Sequence, residues 1–241
     1  MDLDLTNDID LATNDFNLGD LDLSNFSDKM LDTATEFESR YMKPPLSVER
    51  SESYYKYEHA IDLAQKLFLK KNERQFYIIN GSFIFGDFIE AWITERNFHV
   101  KKMTISTLSL SQNNVDSLRN LVDGGFVDEL NLIVSDYFFS HERKALIPYI
   151  YQELDKPGIN KFQLAVCGTH CKTCIFETHN GGFIVIHGSA TLRTSANLEQ
   201  FMIEENEALY RFNDDYQKKI IDEYKTINKA LRVNKLWNVI K

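Results

Sequence analysis

Between residues 75 and 154, short β-rich apolar runs alternate with segments patterned for helices, and few folds accommodate that alternation. Runs at 75–79, 99–105 and 130–134 are too short to be anything but buried strands. Helical patterns at 88–93, 113–122 and 142–154 follow them in turn. Such a succession predicts an α/β fold, a mixed β-sheet flanked by helices on both faces. Three further β-like runs lie at 162–168, 171–178 and 183–187, and a charged helical segment is expected at 206–230. Ahead of the alternation, residues 48–70 read as a helix, with Tyr54, Tyr55, Ala60, Ile61, Leu63 and Leu67 near helical spacing. At 241 residues and 43% hydrophobic, the chain buries one sizeable core or two small ones.

The formal charge of −9 is unevenly placed. Residues 1–40 hold eleven Asp or Glu against only Lys29 and Arg40, so the remainder is neutral overall. Residues 1–45 are therefore read as an acidic, disordered leader, and 46–241 as the folded domain. The other reading of the leader is a segment that docks a protein partner or covers a basic groove. A neutral body neither demands nor excludes a phosphate-rich ligand. No run is long and apolar enough for a transmembrane helix, and no basic-then-apolar start suggests secretion. Cys167, Cys171 and Cys174 are an odd, clustered set, which fits reduced thiols in a cytoplasmic protein better than a disulfide framework.

The stretch richest in chemistry is 168–191. Asn180-Gly181 between two β-like runs is a strong hairpin signal. A two-residue turn there sets His179 against Gly182, Lys172 opposite Ser189 and His170 opposite Thr191. Opposed residues share a face of the sheet. An imidazole, an ammonium and two hydroxyls would then project together, a set suited to phosphate. Lysine supplies charge, the hydroxyls donate hydrogen bonds, and histidine attacks phosphorus or carries a proton.

These residues resemble the phospholipase D superfamily, whose motif runs H-x-K, four residues, Asp, six residues, then G-S-x-N. Here His170-Cys171-Lys172 is followed, after four residues, by Glu177, and then by Gly188-Ser189-Ala190-Thr191. The Gly-Ser step comes four residues late. An even insertion, two residues per arm, preserves the facing of each side chain. Asn197-Leu198-Glu199 is similar to the N-x-E that trails the family motif. Glu177 stands in place of aspartate and Thr191 in place of asparagine. His99-Val100-Lys101 is also H-x-K but lacks any Gly-Ser partner.

The resemblance implies a phosphodiesterase using a phosphohistidine, with His170 as nucleophile and Lys172 neutralising charge. Ser189 and Thr191 would orient the phosphoryl group, Glu199 would orient the imidazole, and Arg193 and Asn197 would contact substrate. Glu177 would be the structural acid of the motif. Family enzymes bring two motifs together across a two-fold axis, and one half-site per chain implies a homodimer. The resemblance points to a nuclease more than a lipase, with nucleic acid as substrate and no metal or cofactor required. No amphipathic basic helix marks a membrane surface. The alternative keeps the fold without catalysis, as a degenerate domain that binds DNA or a protein. Zinc is a rival, since Cys171 and Cys174 have C-x2-C spacing with Cys167, His170, His179 and His187 nearby. An extended strand would put Cys171 and Cys174 on opposite faces, so a chelate needs a knuckle turn instead of the hairpin.

Overall fold

The computed structural model describes residues 51–57, 59–80, 83–192, 197–224 and 230–231. All of these lie in the unit Pro45–Lys241, and the expected leader lies outside the described residues. Nine strands form one sheet in the order β1-β2-β8-β7-β6-β3-β4-β5-β9. They are β1 Ser51–Tyr57, β2 Glu73–Ile79, β3 Val100–Thr107, β4 Glu129–Ser135, β5 Lys161–Cys167, β6 Thr173–Thr178, β7 Phe183–Gly188, β8 Glu199–Glu205 and β9 Ala230–Leu231. Among the described residues six helices accompany them: α1 Ala60–Lys66, α2 Phe85–Glu95, α3 Gln112–Asp123, α4 Asp136–Glu142, α5 Leu146–Leu154 and α6 Glu207–Tyr224.

The sheet is mixed. β1 runs parallel to β2, and β3, β4 and β5 run parallel to one another. Between these blocks β8, β7 and β6 alternate in direction. Helices cover both faces, as the strand and helix alternation predicts. On one face Leu63, Phe88, Trp92, Leu118 and Ile150 pack onto Met103, Leu132, Phe176 and Phe201. On the other, α6 sets Ile220, Ile221 and Tyr224 against Ile133, Ala165 and Cys167, and Tyr210 against Ile175 and Val185. The middle of β4 is buried on both faces, which is why its sequence reads as a continuous apolar run without alternation.

The chain departs from the sequence reading in four places. Residues 51–57 are an edge strand, and helix begins only at Ala60. Tyr54 and Tyr55 look like helix-face residues, yet they stack on Phe76 and Tyr77 of the parallel neighbour at 5.1 and 5.2 Å. The helix expected at 142–154 begins only at Leu146, and a separate helix, α4, precedes it. Strand β8 fills a stretch with no strand assigned to it, and it joins β2 to β7. The C-terminal helix expected at 206–230 is present over Glu207–Tyr224, and residues 225–229 lie outside the described residues.

The fourth departure is the hairpin register. Thr173 pairs with His187 and Glu177 with Phe183, one residue away from the expected pairing. Among residues 178–182 only Gly181 has a positive φ, at 87°, whereas a two-residue type I′ turn needs two. Gly181 N–H donates to Thr178 O at 3.0 Å, and Gly182 N–H to Thr178 Oγ1 at 2.8 Å. The loop therefore holds three residues, with glycine in the left-handed position.

Candidate functional site

Strands β2, β3, β4, β5 and β7 end, and β6 and β8 begin, at the same edge of the sheet. This is the end where open α/β sheets place their ligands. Four of the expected residues arrive there. His170 and Lys172 lie on the connection just before β6, Ser189 follows β7, and Glu199 opens β8.

The connection after β5 is pinned by its own hydroxyls. Thr169 N–H donates to Cys167 O at 2.9 Å, Cys171 N–H to Thr169 Oγ1 at 3.1 Å, and Ser106 Oγ to Cys171 O at 3.2 Å. His170 is left exposed, and its ring makes no hydrogen bond to a described residue. Lys172 is half-buried, and its Nζ donates to His170 O at 3.3 Å. Because of the shifted register, Lys172 stands opposite Gly188, whose N–H donates to Lys172 O at 3.3 Å, and not opposite Ser189. The expected pairing of His170 with Thr191 fails for the same reason, and Cys174 faces Ile186.

Across β7 and β8 the contacts are tighter. A Cβ on Gly188 would lie 2.2 Å from Gln200 O, so only glycine lets these backbones approach. Ser189 N–H donates to Gln200 O at 2.9 Å, and Gln200 N–H donates to Ser189 Oγ at 3.0 Å. The Ser189 hydroxyl donates to the Glu199 carboxylate. The acid expected to orient the imidazole thus holds the serine, and no hydrogen bond joins it to His170. Thr191 is half-buried and Asn197 is exposed, and both have partners. Arg193 lies outside the described residues. Glu177 sits far along β6 towards the turn and pairs with Lys101 Nζ at 3.0 Å, away from the serine.

A small cleft opens beside the motif, lined by Lys172, Thr173, His187, Gly188, Ser106 and Thr107. Of these, His187 was named from the sequence only as a possible zinc ligand, and Ser106 and Thr107 were missed. A hydroxyl pair ending an apolar strand was the available signal for the latter two. His187 is half-buried, and burial lowers its pKa below the ordinary imidazole value, partly opposed by Glu204. Neighbouring Thr173 accepts from Gln217 Nε2 at 2.7 Å, while Gln217 Oε1 is buried without a partner.

The cysteines separate. Cys174 is in the core against the helices α1, α2, α3 and α5, Cys167 is buried beneath α6, and Cys171 is exposed. Burial pushes the Cys167 thiol up to about 12 and raises Cys174 as well. The hairpin has formed in place of a knuckle turn, and no group of three His, Cys, Asp or Glu side chains among the described residues is arranged for a metal. No described helix is long and apolar enough to cross a membrane.

No family profile and no curated protein sequence matches the chain. Several solved structures are similar in part. A polyphosphate kinase from Porphyromonas gingivalis matches 65% of this chain and 27% of its own, with 9% identity and a TM-score of 0.45. A phosphatidylserine synthase from Haemophilus influenzae matches 75% and 46%, with 13% identity and a TM-score of 0.42. The archaeal chromatin protein TrmBL2 matches 66% and 55%, with 12% identity and a TM-score of 0.41. In each case the chain spans only part of the longer protein.

Proposed function

We propose that this chain is one half of a phospholipase D-like phosphoryl-transfer enzyme, a metal-independent nuclease completed by a second copy. The observation that carries the reading is the arrival of His170, Lys172, Gly188-Ser189 and Glu199 at one sheet edge, from three different strand ends. In the proposed reaction a ring nitrogen of His170 attacks phosphorus, and a P–N bond forms as the P–O bond to the leaving group breaks. The second copy's His170 protonates the leaving oxygen. It then takes a proton from the water that hydrolyses the P–N bond. Lys172 offsets charge on the phosphoryl oxygens. Thr191, Asn197 and Arg193 are proposed substrate contacts, and a cytoplasmic setting fits the three unpaired thiols.

The Ser189–Glu199 contact favours a second reading. A hydroxyl already donating to a carboxylate has no hydrogen left for a phosphate. Catalysis then requires Ser189 to turn away and release Glu199. A domain that keeps the pair closed binds nucleic acid or a protein without cleaving.

Incubating the purified protein and its His170→Ala variant with labelled single- and double-stranded DNA and RNA in EDTA decides between them. Cleavage by the wild type alone supports the nuclease. Retardation of nucleic acid by both, without cleavage, supports the binding domain. Light scattering on the same sample tests the dimer, and a strict monomer would leave the half-site unpartnered.

A further inference from the structure

The hairpin has a second end, about 20 Å from the Ser189 end at the rise of a β-strand, and a cavity of about 310 Å³ lies against it. One wall is apolar, with Leu67, Phe68 and Leu69 from the segment after α1, Trp92 from α2, then Phe98 and Ile184, and Thr178 and the turn residues 180–182 supply a polar wall. Arg96 and Glu205 supply its charges. The size is at the lower end of the range for small-molecule sites, and such sites pair apolar walls with a few polar groups.

Among the described residues these polar groups are only partly satisfied, and the Arg96 guanidinium stacks on the Phe68 ring at 5.9 Å. Trp92 is 1% exposed, yet its indole N–H has no acceptor. The Arg96 Nε–H is also buried without one. Arg96 does hold the carbonyls of Leu67, at 2.5 Å, and Gln65, at 3.3 Å, through Nη2. No carboxylate of a described residue lies within ion-pair distance of it. The half-buried Glu205 carboxylate carries no hydrogen bond to a described residue either. A cation and an anion on one cavity, neither ion-paired to a described residue, can each take the opposite charge of a ligand.

We infer that this cavity binds a free α-amino acid with an aromatic or branched side chain, its carboxylate at Arg96 and its ammonium at Glu205. The side chain fills the space among Phe68, Trp92 and Phe98. Phe68 is 65% exposed, and a ligand in the cavity covers it. This site is independent of the phosphoryl-transfer reading and uses none of its residues.

Titration calorimetry on the full chain tests the inference with L-phenylalanine, L-leucine and L-tryptophan, then with phenylacetate and 2-phenylethylamine. At least one of the amino acids gives saturable heat with a dissociation constant below about 1 mM. Phenylacetate, lacking the ammonium, and 2-phenylethylamine, lacking the carboxylate, each bind about tenfold more weakly than L-phenylalanine. Glu205→Gln removes the advantage of L-phenylalanine over phenylacetate and leaves phenylacetate binding unchanged. Arg96→Gln abolishes both, but it also releases two backbone carbonyls, so the Glu205 variant carries the decision. No saturable heat from any of the three amino acids overturns the inference. So does a Glu205→Gln protein that keeps the wild-type preference.

Discussion

Gly188 and Ser189 are bound to β8 by different constraints, one steric and one polar. A methyl group at 188 would meet Gln200 O and the Gln200–Phe201 backbone, none of which moves without opening the β7–β8 pairing. Gly188→Ala is therefore expected to destabilise the fold by about 2–3 kcal/mol, measured by urea unfolding. His187, one residue earlier, gives a pH effect whose sign follows from its environment. Its folded pKa is lowered by burial, so the unfolded chain binds a proton more readily. The stability from the neutral ring is fully present above the unfolded imidazole value. It is lost as pH falls from about 6.5 towards the lower folded value. The melting temperature should drop less between pH 7.5 and pH 5.5 in His187→Gln than in the wild type. Equal drops would show that the ring does not couple to folding.

At the scale of elements, the hairpin separates what residue types reveal from what they conceal. Asn180-Gly181 marked the turn, and the flanking β-rich runs marked both strands. The loop length depended on Thr178, whose hydroxyl accepts from Gly182 N–H and donates to Asn180 Oδ1 at 2.5 Å. That side-chain preference has no periodic trace, and it shifted Lys172 from Ser189 to Gly188. That His170, Lys172, Ser189 and Glu199 come to one end of the sheet was legible because motif spacing survives a register error. The Ser189–Glu199 contact was not, since it needs β8 beside β7. Strand β8 itself escaped notice because Glu199, Gln200, Glu204 and Glu205 make its ends look solvated. Yet Glu204 is 2% exposed and receives Arg74 Nη2 at 2.7 Å from β2. Arg74→Ala leaves that carboxylate buried without its cation. A loss of about 3 kcal/mol is expected, again by urea unfolding. A change near zero would mean that water reaches Glu204 in its place.

For the whole molecule, the described architecture followed from alternating strands and helices, and the topology did not. Helices on both faces were expected because continuous apolar strands need two covers. The edge position of β1 was hidden by its polar, aromatic composition. Charge patterning located the acidic stretch at 1–40, while what that stretch does is not a property of its composition.

Strand β8 also sets when this protein finishes folding. Among the described residues up to 198 there are two sheet fragments, β1-β2 and β7-β6-β3-β4-β5, with no strand between them. Each exposes a strand edge, on β2 and on β7, that only residues 199–205 can satisfy. During synthesis the first 198 residues wait as two open-edged pieces, which join only when β8 emerges. The contacts that close it span 130 residues in the case of Arg74 and Glu204, the kind of long-range pairing that slows folding. A chain stopped at residue 198 should remain sensitive to protease and should aggregate, and adding residues 199–224 should restore a cooperative transition.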